Sequence, residues 1–139
     1  MSKRCFLGGT CCNSEWRDEL IEMLEIDYFN PVVKDWTPEC QEEEIRQRET
    51  CDYVLYVITP EMKGVYSIAE VVDDSNKRPE KTILCIIEEV DYPERGETFN
   101  FKWVPHISKS LNAVKKLVKK NGATVCENLE DVANFLNSN

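Results

Sequence analysis

The carboxylate with the most chemical potential in the sequence is Glu70, in the run Gly64-Val65-Tyr66-Ser67-Ile68-Ala69-Glu70. It stands four residues after Tyr66, so in a helix the phenol and the carboxyl share one face. Burial and a neighbouring phenol can tune such a carboxyl as a nucleophile or an acid/base. A helical wheel sets Val65, Ile68, Ala69 and Val72 on one face and Tyr66, Glu70 and Asp73 on the other, which by itself describes a solvated acidic face. Chemistry at Glu70 requires the helix to begin at a crevice and to turn its polar face into it.

A second constellation is GGTCCNS, between an apolar run and a helical one. Gly8 and Gly9 let backbone approach a ligand, while Thr10, Asn13, Ser14 and the following helix N-terminus offer donors to an anion. The lysine and spacing of a P-loop are absent and GxGxxG is not matched, so an ordinary strand-to-helix turn explains the run equally well. Cys11 and Cys12 lie near that helix N-terminus, where a thiol can be activated. The one histidine, His106, falls far along the chain, so these cysteines read as non-catalytic. With no CxxC pair and a single histidine, neither a metal nor a cofactor is expected.

Positioning these residues falls to alternating strand and helix signals. Lys3 to Gly9 reads as a buried strand, and SEWRDELIEMLE as a helix capped by Asn13 or Ser14. Asp27 to Val33 reads as a strand limited by Asn30-Pro31. A loop holding Asp35 and Trp36 leads to Thr37, a cap for a polar surface helix that begins at Pro38. Asp52 to Thr59 (DYVLYVIT) is the clearest strand, apolar on both faces and so central and parallel. A helix near Val65 to Asn76 and a strand at Thr82 to Ile87 follow.

Glu88 to Pro105 reads as one long irregular stretch, with Phe99, Phe101 and Trp103 as an exposed aromatic contact surface. His106 to Asn121 then forms a helix with Ile107, Leu111, Val114 and Leu117 inward. A strand at Ala123 to Cys126 and a helix at Leu129 to Leu136 close the chain. The expected fold is α/β: a five-stranded parallel sheet in the order 2-1-3-4-5 with helices on both faces, one domain over residues 1–139. Ligands of such sheets sit beyond the carboxyl ends of the strands beside the first strand, which selects Gly8 to Ser14, Thr59 to Glu70 and the loop around Asp35 and Trp36.

Composition narrows the partner. Twenty-six acidic against 17 basic residues give a net charge of −9, which disfavours a nucleic-acid polymer. No apolar run approaches the ~20 residues of a membrane span. Seven cysteines, an odd number set largely in apolar runs, together with a polar start Met1-Ser2-Lys3-Arg4, favour free thiols in the cytoplasm.

The run DYVLYVITPEMKGVYSIAEVV, followed by KTILCII, resembles the central strand, loop and catalytic helix of the nucleoside 2-deoxyribosyltransferase superfamily. That group includes 2′-deoxynucleoside 5′-phosphate N-hydrolases. FLGGTCCNSEWRDEL is similar to the first strand and glycine loop of the same group, so the resemblance spans Lys3 to Ile87. It implies a flavodoxin-like fold and cleavage or exchange of an N-glycosidic bond on a small nucleoside or nucleotide, in a homo-oligomer. Glu70 corresponds to the nucleophile that attacks the anomeric carbon, and Tyr66 to a residue orienting it. Gly9, Thr10 and Ser67 match positions lining the sugar or its 5′ group, and Gly8, Asn13 and Trp36 are added to the expected binding site from the loops selected above.

The family's aspartate ahead of the catalytic glutamate has no counterpart in Glu61-Met62-Lys63-Gly64-Val65-Tyr66, and Asp35 is the substitute acid expected here. Loss of that acid also leaves open a nucleotide-binding or signalling module of the same fold. FLGGTCCNSEWRDELIEML is similar, too, to the strand, loop and tryptophan-bearing helix of TIR-like domains that cleave NAD.

Overall fold

The computed structural model describes residues 2–11 and 14–138. Five strands form one parallel sheet: β1 (Arg4–Gly9), β2 (Asp27–Phe29), β3 (Tyr53–Ile58), β4 (Thr82–Ile86) and, late in the chain, β7 (Thr124–Cys126). Their order is β2-β1-β3-β4-β7. The expected architecture is present, and the last sheet strand is the seventh of the chain because two strands of a hairpin precede it. Both neighbours of β3 run parallel to it, with Leu7 opposite Leu55 and Leu55 opposite Ile83.

Alternation along the central strands divides the core. Leu7, Leu55, Val57 and Ile83 face the helices α1 (Trp16–Met23) and α5 (Leu129–Ser138), packing on Leu20, Val132 and Leu136. Phe6, Val54, Tyr56, Ile58 and Leu84 face α3 (Tyr66–Lys77) and α4 (Pro105–Lys120), packing on Val71, Leu111 and Val118. Burying each large aliphatic side chain is worth about 1.5–3 kcal/mol, so the two faces hold the sheet between helical layers. The remaining helix, α2 (Pro38–Thr50), lies alongside α3, and starts as expected: Pro38 is its first residue and Thr37 Oγ1 accepts from Cys40 N at 3.3 Å.

Several expectations are corrected. Glu88 to Pro105 is not irregular: β5 (Glu89–Glu94) and β6 (Glu97–Lys102) pair antiparallel around Arg95 and Gly96. Both turn residues have positive φ, 52° and 79°, the conformation that a two-residue hairpin turn demands. Trp103, grouped above with Phe99 and Phe101, is half-buried and donates Nε1 to the Ile87 carbonyl at 2.9 Å, whereas the two phenylalanines are exposed.

The second strand stops at Phe29, because the proline two residues on cannot donate to a ladder. In α4 the inward residues are Leu111, Val114 and Val118, a three-then-four spacing that leaves Ile107 and Leu117 exposed. α1 begins at Trp16 without a side-chain cap; Ser14 spends its hydroxyl on Glu61 Oε1 at 2.9 Å, and Asn13 lies outside the described residues. Among the described residues no helix is long and apolar enough to cross a membrane.

Candidate active site

A cavity of about 330 Å³ opens beyond the carboxyl ends of β1 and β3. Its wall brings together Gly8, Gly9 and Thr10 from the end of β1, Trp36 from the loop before α2, and Tyr66, Ser67 and Glu70 from the first two turns of α3. Residues far apart in sequence meet here because parallel strands place every strand-to-helix loop at one edge of the sheet. Asp35 is exposed and does not line the cavity. Glu44, on α2, takes a place on the wall instead.

The end of β1 is built by backbone contacts. Gly9 has φ +119°, and a Cβ there would lie 2.0 Å from the Val57 carbonyl oxygen, so glycine is required by the approach of β3. Thr10 Oγ1 accepts from Thr59 N at 2.8 Å, joining the β1 loop to the β3 loop. Arg17, almost fully buried, donates Nε to the Leu7 carbonyl at 3.0 Å and Nη1 to that of Thr10 at 2.7 Å. Trp16 Nε1 reaches the same Thr10 oxygen at 2.8 Å. The first turns of α1 thus fix the loop through its carbonyls, a role for Trp16 and Arg17 that the sequence pattern did not suggest. Burial holds the Arg17 guanidinium below its usual range, with Cys11 and Glu44 opposing that shift.

The polar face of α3 is solvated only in part: Tyr66, Asp73 and Lys77 are open to solvent, whereas Glu70 and Asp74 are covered and meet Arg48 of α2. Asp74 is fully buried and accepts from Arg48 Nε (3.1 Å), Arg48 Nη2 (3.0 Å) and the Tyr56 hydroxyl (2.6 Å), and it is also ion-paired with Arg78. Arg48 Nη2 also bonds Asp73 at 3.1 Å, and its Nη1 stands 3.5 Å from Glu70 Oε2. The Glu70 side chain is only 14% exposed. Burial pushes its carboxyl up to about 7, with Glu44, Asp74 and Asp73 adding to the rise and Arg48 opposing it.

Burial also raises the Glu44 carboxyl, against Arg48 and Arg17. The Tyr56 phenol lies well above its usual range, first through burial and then through Asp74. Arg48 is raised despite its burial, because the bonds to Asp74 outweigh it. A smaller cavity of about 270 Å³ shares Trp36, Glu44, Tyr66 and Glu70 with the first and adds Arg48.

Tyr66 and Trp36 are 66% and 59% exposed, two open aromatic rings beside the carboxylates. Tyr66 is not hydrogen-bonded to Glu70; the charged partner of Glu70 is Arg48. Arg48, Glu44, Asp74 and Tyr56 were missed from sequence, though a phenol within the apolar run of β3 was a signal of a buried polar partner. What the wall offers is a half-buried carboxyl, a second carboxyl on the facing helix and aromatic surface nearby. That set suits displacement at a carbon that gains positive charge.

Residues 2–90, well over half of the chain, match the family model described as nucleoside 2-deoxyribosyltransferase like. The match contains every residue of the cavity wall named above. No curated protein matches the chain.

Proposed function

Because the chain belongs to the nucleoside 2-deoxyribosyltransferase-like family, we propose that it cleaves or exchanges the N-glycosidic bond of a small nucleoside or nucleotide, with Glu70 as nucleophile. The family suggests nucleoside glycosyl transfer, and the supporting observation in the molecule is the Glu70 carboxyl on the cavity wall, 3.5 Å from Arg48 and shielded from solvent.

In the proposed first step a Glu70 oxygen attacks the anomeric carbon as the bond from carbon to base nitrogen breaks. The electron pair leaves with the base, which takes a proton from the Glu44 carboxyl. We assign the acid to Glu44 rather than Asp35, since Glu44 lines the cavity and burial favours its protonated form. In the second step the Glu44 carboxylate takes a proton from water, or from an incoming base, which attacks the same carbon and releases Glu70. The two-step route divides one difficult displacement into two easier ones. Trp36 and Tyr66 supply stacking surface for the base.

The test is incubation with deoxynucleosides, ribonucleosides and their 5′-monophosphates, with free base followed by chromatography. Wild type releases base from at least one of them, and Glu70→Ala and Glu70→Gln, both folded, lose activity by about a thousandfold or more. Full activity in Glu70→Ala, or ligand binding with no base released from any substrate, overturns the reading.

A further inference from the structure

We propose that Arg48 is the positioning residue for Glu70: clamped by buried Asp74, its guanidinium holds the Glu70 carboxylate at the cavity wall in one orientation. This rests on the reading of Glu70 as nucleophile. The geometry is specific to an arginine. Nε and Nη2 form a side-on fork with Asp74 at 3.1 and 3.0 Å, which leaves Nη1 directed at Glu70 at 3.5 Å. A lysine has one nitrogen and cannot make the fork and the Glu70 contact in the same geometry.

Asp74 is in turn fixed by the Tyr56 hydroxyl at 2.6 Å and by Arg78, so the clamp is anchored to the centre of the sheet. The side chains of Arg48 and Asp74 are 11% and 0% exposed, so rotation of the guanidinium is closed off by packing.

Charge gives the clamp a second effect. The groups acting on Glu70 are Glu44 and Arg48 from α2 and Asp73 and Asp74 from its own helix; the Tyr56 phenol of β3, hydrogen-bonded to Asp74, also feels the Glu70 charge. Three of these are carboxylates and oppose ionisation of Glu70. Arg48 is the cation among them, and Lys77 and Arg78 act on Asp73 and Asp74 instead. Lys63 also lines the cavity and has no ion pair among the described residues. Removing Arg48 leaves Glu70 beside three carboxylates with nothing at contact distance to favour its anion.

The test follows the Glu70 carboxyl directly by carbon-13 NMR across pH, a readout that needs no turnover, with circular dichroism as the check on folding. In Arg48→Gln the Glu70 midpoint rises by about one unit or more, the usual effect of an opposite charge at this range. Arg48→Lys gives an intermediate midpoint and a kcat about tenfold lower with KM nearly unchanged, the mark of lost orientation. Where Arg48→Gln does not fold, Arg48→Lys decides alone.

A midpoint and a kcat in Arg48→Lys equal to those of wild type overturn the proposal, as does an unmoved midpoint in Arg48→Gln. If the midpoint moves but no variant and no wild type releases base, the nucleophile reading fails while the clamp stands. If base release depends on Glu70 but is indifferent to Arg48, the clamp fails and the nucleophile reading stands.

Discussion

Replacing Glu70 by glutamine stabilises the protein at alkaline pH while removing its proposed reaction. The native Glu70 carboxyl titrates at about 7 against a reference of 4.5, because it is buried. A carboxyl held above its unfolded value binds its proton more tightly in the native state. Its contribution is therefore fully favourable below about pH 4.5 and is lost as pH rises through about 7, after which the folded protein carries a buried anion. The shift of about 2.5 units corresponds to about 3 kcal/mol at 1.36 kcal/mol per unit.

Glutamine is neutral at every pH and escapes that penalty. Integrating the linkage gives Glu70→Gln an advantage of about 1 kcal/mol near pH 5 and about 3 kcal/mol near pH 8. Urea denaturation of both proteins at the two pH values, followed by circular dichroism, reads the difference; titrating groups that do not interact with Glu70 cancel between variant and wild type. The expected signature is a gap in unfolding free energy that widens by about 2 kcal/mol from the lower to the higher pH. A gap that stays constant, or a glutamine variant less stable than wild type at the higher pH, refutes the assignment of a buried, reluctantly ionised carboxyl.

Two further outcomes test the wall of the site. Gly9→Ala forces a Cβ into the Val57 carbonyl at positive φ, so it lowers stability by about 3 kcal/mol or more, measured by urea midpoint, whether or not ligand is present. Trp36→Ala and Tyr66→Ala each remove an exposed ring from the cavity edge; each raises KM about tenfold while leaving kcat within about twofold, and neither shifts the urea midpoint appreciably.

The sheet was legible because its strands carry their signal locally. DYVLYVIT and TILCII are apolar on both faces, and only a strand covered by helices on both sides has use for that pattern. The hairpin was not legible as a strand pair. Tyr92 opposite Phe99 and Val90 opposite Phe101 do recur at a spacing of two, but glutamates surround them and Arg95-Gly96 is a less familiar turn than Asn-Gly. Gly9 was noticed for a reason other than the one the structure gives, since a glycine needed for strand contact and one needed for ligand approach look alike in sequence. The polar face of α3 was legible only in part: Tyr66 and Asp73 are exposed as the wheel implies, but Glu70 is not. Glu70, Asp73, Asp74, Lys77 and Arg78 repeat at three- and four-residue intervals, the spacing of an apolar stripe written in charges. One helix cannot reveal what lies opposite; here it is Arg48 on a helix that is itself polar nearly all round.

Where that arginine stands matters as much as its presence. Arg48 borders the smaller cavity alone, whereas Glu70, Glu44, Trp36 and Tyr66 line both. A cation set between Glu70 and the sugar would repel the positive charge that builds as the base departs. From the smaller cavity the guanidinium favours the Glu70 carboxylate, which in the proposed reaction is the anion that meets the developing positive charge. An oxocarbenium-like transition state is favoured by such an arrangement. The wall sets Arg17 and Lys63 against Glu44 and Glu70, and Lys63 is the exposed cation of the two, so a 5′-phosphate is expected to lie toward Lys63, leaving the anomeric carbon to Glu70.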